Sequence, residues 1–202
     1  MFEIIWKGGP IMIPILLCSV IAVAVFLERW IHLHRSQIDP DKFLTGIRNI
    51  IRRGNIIEAI QICEATPGPI AAILKAGLLK HESDRTEVKT AMEDASVSEV
   101  PQLERNLSVL STIAQICPLL GLLGTVTGMI KSFQKIQELG GIVNPGDLAQ
   151  GIWEALITTA AALVIAIPTY VAFNYLNNRV KGIVYEIEKS ATDLINILFE
   201  EK

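Results

Sequence analysis

Hydrophobic and charged positions alternate along the chain in long blocks. Three runs carry no charged residue: Pro10–Leu27, Asn106–Ile130 and Ala155–Asn178. Each approaches or exceeds the roughly 18–20 residues that carry a helix across a bilayer core. The charges lie between and after these runs, which predicts an all-α membrane protein with three transmembrane helices and a sizeable aqueous part. The predicted division is an outer segment over 1–9, a first span over 10–27 and a cytoplasmic helical domain over 28–105. A second span over 106–130, an outer loop over 131–153, a third span over 154–178 and a cytoplasmic C-terminal helix over 179–202 complete it.

The third run has two distinct faces at about 100° per residue. Glu154, Ala155, Thr158, Thr159, Ala162, Ala166 and Thr169 share one arc, while Leu156, Ile157, Leu163, Val164, Ile167 and Val171 cover the other. A soluble amphipathic helix would put charges on its polar face. This one puts Ala and Thr there, a pattern that suits lipid on one side and close neighbours or a narrow polar path on the other.

Helical periodicity also governs the segments between the runs. Asp39-Pro40-Asp41 starts a helix with Phe43, Leu44, Ile47, Ile50 and Ile51 on its apolar face; Gly54-Asn55 breaks it, and Ile56–Glu64 resumes. Pro67-Gly68-Pro69 is a stop before an apolar helix over Ile70–Lys80. From Thr86, Val88, Met92, Ala95, Val100, Leu103, Leu107 and Leu110 recur at helical spacing into the second span, with Pro101 as the expected kink. Val180, Ile183, Val184, Ile187, Leu194, Ile195 and Leu198 carry the third span on as an amphipathic helix. The second and third spans are thus expected to extend into the cytoplasmic domain. The first span shows no polar face and reads as a lipid-facing anchor, bracketed by Trp6 and Trp30.

Half of the 202 residues are hydrophobic, and the mean hydropathy of +0.42 restates the membrane pattern. A net charge of −3 without a basic cluster gives no reason to expect nucleic acid. Lys7, Lys131 and Lys135 fall on one side of the membrane; Arg29, Arg35, Lys42, Lys89, Arg105, Arg179, Lys181 and Lys189 fall on the other. The second set marks the cytoplasm, which predicts an outer N-terminus and an inner C-terminus. Ala22-Val23-Ala24 imitates a cleavage site, but Glu3 and a single Lys7 make a poor signal-peptide start, so the first span is expected to remain. Cys18, Cys63 and Cys117 form no close pair and indicate neither a disulfide framework nor a metal site. No cofactor is expected. His32 and His34, among interfacial charges, are expected to be solvated.

Two stretches carry candidate chemistry. In the second span, Pro118–Met129, Gly121, Gly124 and Gly128 permit close approach of another backbone, and Gly124 and Gly128 form a small-xxx-small pair. Ser111, Pro118, Gly121, Thr125 and Ser132 share a mildly polar stripe. Thr125 and Thr127 have a local alternative, bonding carbonyls of their own helix. In the third span, Glu154 stands at the mouth. It reads either as an interfacial carboxylate at the positive end of that helix or as a cation-attracting group before a path lined by Thr158 and Thr159. Ala162 and Ala166 provide helix packing. No Asp, Glu, Lys, Arg or His lies near the middle of any span. A proton path therefore needs its central carrier from a partner, with this chain supplying polar walls.

Gly121–Met129 (G-L-L-G-T-V-T-G-M) and Glu154–Asn174 (E-A-L-I-T-T-A through A-I-P-T-Y-V-A-F-N) resemble the MotA/TolQ/ExbB proton-channel family, most closely its ExbB/TolQ branch. Order, spacing and span count extend the resemblance over essentially the whole chain. It implies an inner-membrane homopentamer whose second and third helices line a central pore. It also implies a single-span ExbD/TolR-like partner that brings a membrane aspartate, and a TonB-like protein downstream. On this resemblance the pore threonines fall on Thr125 and Thr159 and the glutamate on Glu154. Thr127, Thr158 and Ala162 depart from residues common in the family, and the two threonines add hydroxyls beside the path. The implied function is coupling of the proton-motive force to partner motion for TonB-dependent import. Tol-type envelope maintenance and gliding-type motors are the alternatives within the branch. A passive helical scaffold is the alternative from another class. A membrane enzyme is disfavoured, since no nucleophile–base pair, metal-ligand cluster or phosphate loop is present.

Overall fold

The computed structural model describes residues 8–35, 39–139 and 144–200. Phe2, Ile4, Ile5, Trp6 and Lys7, assigned to the outer segment, lie outside them. Among the described residues every regular element is a helix: α1 (Met12–Arg35), α2 (Pro40–Arg52), α3 (Ile56–Ala65), α4 (Pro69–Leu78), α5 (Arg85–Glu104), α6 (Leu107–Glu138) and α7 (Pro145–Glu200). Three helical stretches are long and apolar enough to cross a membrane, within α1, α5–α6 and α7. The chain is a multi-pass membrane protein.

It divides into two compact units. One holds the described residues of Met1–Arg29 with Asn106–Tyr175; the other holds Trp30–Arg105 with the described residues of Leu176–Lys202.

The second unit is built from capped helices. Asp39 accepts the Lys42 N–H at the start of α2, Asn55 that of Glu58 at the start of α3, and Asp84 that of Glu87 at the start of α5. Each carboxylate or amide oxygen thereby satisfies a donor that has no intrahelical partner. Gly54 and Gly68, at φ 73° and 124°, form the breaks that the sequence predicts at Gly54-Asn55 and Pro67-Gly68-Pro69. Helix α4 is the centre of this unit: Ile70, Ala71, Ile73, Leu74, Gly77 and Leu78 are all buried. Val88 and Met92 of α5 and Val180, Ile183, Ile187 and Leu194 of α7 belong to the same unit and are also buried. Full burial of each large aliphatic side chain here stabilises the unit by about 1.5–3 kcal/mol. A Cβ on Gly77 would stand 2.6 Å from the Met92 sulfur, so the absent side chain is what lets α5 approach. Lys189 donates to Asp41 at 2.9 Å and Arg85 to Asn196 at 3.1 Å, tying the C-terminal part of α7 to α2 and α5. Trp30 and His34 stack at 6.2 Å.

The continuous helix expected from Thr86 into the second span is interrupted, and not at Pro101. Pro101 lies inside α5, and the break falls at Arg105–Asn106, where Asn106 adopts the left-handed region at φ 61°. Proline keeps a helical φ and removes one donor, whereas Asn is among the few residues that enter the left-handed region readily. At the other end, the segment 131–153 is largely helical. Helix α6 runs on to Glu138 and α7 begins at Pro145. Helix α7 spans 56 residues without interruption at Pro168, as the extended third helix requires.

In the first unit the polar-faced helices bury small residues and expose large ones. Helix α6 buries Cys117, Gly121, Gly124, Gly128 and Ser132, while Leu119, Leu122, Val126, Met129 and Phe133 are exposed. On α7, Ala155, Thr158, Ala162, Ala166 and Thr169 are buried, and Leu156, Val164, Ile167 and Val171 are exposed. Between apolar helices in a membrane, close packing of small residues drives association, and here the small set is the buried one. Helix α1 adds Ile15, which clusters with Cys117, Ala162 and Ala166; most of its other large apolar residues are exposed.

Candidate functional site

The seam between α6 and α7 gathers most of the residues that the sequence singles out. A Cβ on Gly121 would stand 2.8 Å from the Ala162 methyl and 3.1 Å from the Thr159 Cα. One on Gly124 would stand 2.6 Å from the Thr158 Cβ, and one on Gly128 would stand 2.5 Å from the Gly151 carbonyl and 2.9 Å from the Ala155 methyl. Going forward along α6 from Gly121 to Gly128 leads backward along α7 from Ala162 to Ala155. The helices are therefore antiparallel and in van der Waals register. Ser132 continues that register, its hydroxyl 3.2 Å from the Gly128 carbonyl and 3.3 Å from that of Leu148.

Adjacent threonines have different places in this seam. Thr158 is fully buried against Gly124, and its hydroxyl donates to the carbonyls of Glu154 (2.9 Å) and Ala155 (3.0 Å). Thr159 is half-buried and reaches across: its hydroxyl lies 3.0 Å from the Gly121 carbonyl of α6 and 3.1 Å from that of Ala155. A hydroxyl that donates to a carbonyl still presents acceptor lone pairs. Thr125, half-buried on α6, donates to Leu122 at 2.6 Å, and Thr127 lies 3.0 Å from the Leu123 carbonyl. Both bonds are to their own helix, the local alternative that the sequence left open.

Glu154 sits at one end of the seam and is 7% exposed. It lies nine residues after Pro145, the start of α7. That is beyond the first turn, where the positive end of a helix acts on a carboxylate. Its partner is instead Lys131 of α6, whose Nζ is 2.5 Å from Oε1. A desolvated carboxylate without a partner would lose several kcal/mol, and this ammonium, itself half-exposed, offsets that loss. The turn before α1 packs against the same carboxylate: a Cβ on Gly9 would stand 2.6 Å from the Glu154 carboxyl carbon. Gly9 also has φ 68°, so glycine is required there for both space and conformation. Charge pattern alone assigned Lys131 to the outer side of the membrane; its role as partner of Glu154 depends on the helical continuation of α6 beyond residue 130.

The structure therefore brings Glu154, Thr158, Thr159, Ala162, Gly121, Gly124 and Gly128 into one seam and Ala166 into the adjoining cluster with Ile15. Thr125 lies on α6 between seam positions Gly124 and Gly128 with its hydroxyl turned to its own helix.

Residues 65–189, more than half of the chain, match the model of the MotA/TolQ/ExbB proton channel family. An ExbB-like biopolymer transport protein of Synechocystis is 37% identical over 174 residues, covering 84% of this chain and 68% of the relative. An ExbB homologue of Methanothermobacter thermautotrophicus is 29% identical, covering 92% of this chain and 66% of its own length. The chain thus spans about two thirds of these two relatives. The biopolymer transport protein ExbB of Neisseria meningitidis is 24% identical over 97% of this chain and 96% of its own length. With the paired small-residue helices and the glutamate at their end, these similarities make the chain a member of the MotA/TolQ/ExbB proton channel family, on its ExbB/TolQ-like side.

Proposed function

We propose that this chain is the multi-span subunit of an energiser complex in the bacterial inner membrane. It couples the proton-motive force to motion of a single-span ExbD/TolR-like partner. Five copies surround that partner, with N-termini outside and C-termini in the cytoplasm, and the motion powers TonB-dependent outer-membrane import. The transport names of the relatives support this branch over flagellar motors.

One observation carries the reading. Glu154 heads a seam whose hydroxyls point their protons at carbonyls, in spans that contain no central Asp, Glu, Lys, Arg or His. Thr159 and Thr125 then offer lone pairs without fixed charge. A carboxylic acid on the partner donates its proton to such oxygens or to water beside them, and moves on when it ionises. Thr158 and the glycines hold the two helices close behind this wall, and Ala162 and Ala166 extend it. Glu154, paired with Lys131, stands at the mouth of the path. Each proton crossing 100 mV releases about 2.3 kcal/mol, enough for a few protons to drive a partner past several hydrogen bonds.

The test is reconstitution of the chain with a copurifying single-span protein and measurement of proton flux under an imposed potential. Flux that requires the partner and stops when its membrane aspartate becomes asparagine supports the reading. No flux with or without a partner makes the chain a passive scaffold.

A further inference from the structure

Lys131 does more than balance a buried charge. Its ammonium occupies the position on Glu154 Oε1 that a cation entering the mouth would take, at 2.5 Å. The Gly9 turn packs against the carboxyl group of the same residue, which is 7% exposed. Thr158 is buried in the seam, and Thr159 is bonded across it. Among the described residues, Lys131 is the cation recorded in an ion pair with Glu154.

We propose that Lys131 is a specificity-determining residue, a tethered cation that fills the Glu154 site and thereby denies it to alkali-metal ions. The inference rests on the reading of Glu154 as the mouth of an ion path. A sodium ion needs several oxygen ligands and a net negative site. The carboxylate–ammonium pair has no net charge, and a metal ion on the same oxygen would face the ammonium at close range. A proton needs neither ligands nor space and passes along hydroxyls and water. The half-exposed Lys131 stem reaches Glu154 from the adjacent helix, so replacing its head with a neutral one leaves the packed seam in place while baring the carboxylate.

The experiment is carbodiimide labelling of Glu154 in the full chain in proteoliposomes, read by peptide mass spectrometry, with sodium or choline chloride present. E154Q supplies the background. The wild-type chain labels slowly, and sodium does not change the rate. K131Q labels several-fold faster in choline, and sodium slows it at least threefold; K131M behaves likewise, and K131R retains the sodium indifference. Neutral variants that label at the wild-type rate, or that label faster without regard to sodium, overturn the proposal. So does loss of folding in both K131Q and K131M while K131R folds, which makes the charge structural. Labelling reads site occupancy without ion flow. Normal proton flux in E154Q would therefore defeat the path reading without altering this result, and a sodium-indifferent K131Q would defeat this inference alone.

Discussion

Gly124→Ala tests the seam on which the site depends. The new methyl carbon would stand 2.6 Å from the Thr158 Cβ, an atom fixed to the backbone of α7 rather than the far end of a flexible side chain. Ordinary carbon contacts lie near 3.5–4 Å, so α6 and α7 must separate by about 1 Å. The contacts at Gly121 and Gly128 open with them, since each is already at 2.5–2.9 Å for its absent Cβ. Overpacking of this kind destabilises by about 1–3 kcal/mol, and at the upper end where both sides are rigid. Alanine returns about 1 kcal/mol of helix propensity. The net expectation is a loss of about 2 kcal/mol, measured by reversible unfolding of the full chain in mixed detergent micelles. Thr158→Gly removes the opposing atoms, so the double variant should be more stable than the summed single losses by at least about 1 kcal/mol. Gly46→Ala is the internal control. It faces open space in α2 and should gain up to about 1 kcal/mol. A G124A chain as stable as wild type, or a double variant that shows no coupling, refutes the close antiparallel register.

Two further predictions concern the second unit and the α5–α6 junction. Asn106→Ala should cost about 1–2 kcal/mol because alanine is strained at φ 61°, while Asn106→Gly keeps the conformation and loses only the 3.2 Å bond to Glu28; thermal unfolding distinguishes them. Burial pushes the Cys63 thiol up from its ordinary 9.0 to about 11, so the unfolded chain releases this proton first. Its contribution to stability is therefore fully present below pH 9 and is lost as pH rises towards 11. The stability difference between wild type and Cys63→Ala should shrink across that window.

Much of this was readable in the sequence because the membrane imposes strong patterns. Uncharged length identifies the spans, and the two-faced distribution of Ala and Thr against Leu, Ile and Val identifies the packed side of α7. Two things were not readable. Thr158 and Thr159 differ by 100° around one helix, and only the position of Gly121 and Gly124 on the facing helix decides which is enclosed and which bridges. The end of the apolar run at Ile130 also hides the continuation of α6, because charge marks the edge of a bilayer and not the end of a helix. Lys131 and Ser132 gain their contacts from that extra length. The Asn106 break likewise depends on a left-handed residue, a weaker signal than the neighbouring proline.

The most direct measurement is proton flux in proteoliposomes holding the chain with a copurifying single-span protein as partner, comparing wild type with Thr159→Ala and Glu154→Gln. Both variants should assemble with the partner yet conduct at background level. Wild-type flux in both would contradict the assignment of the path to this seam.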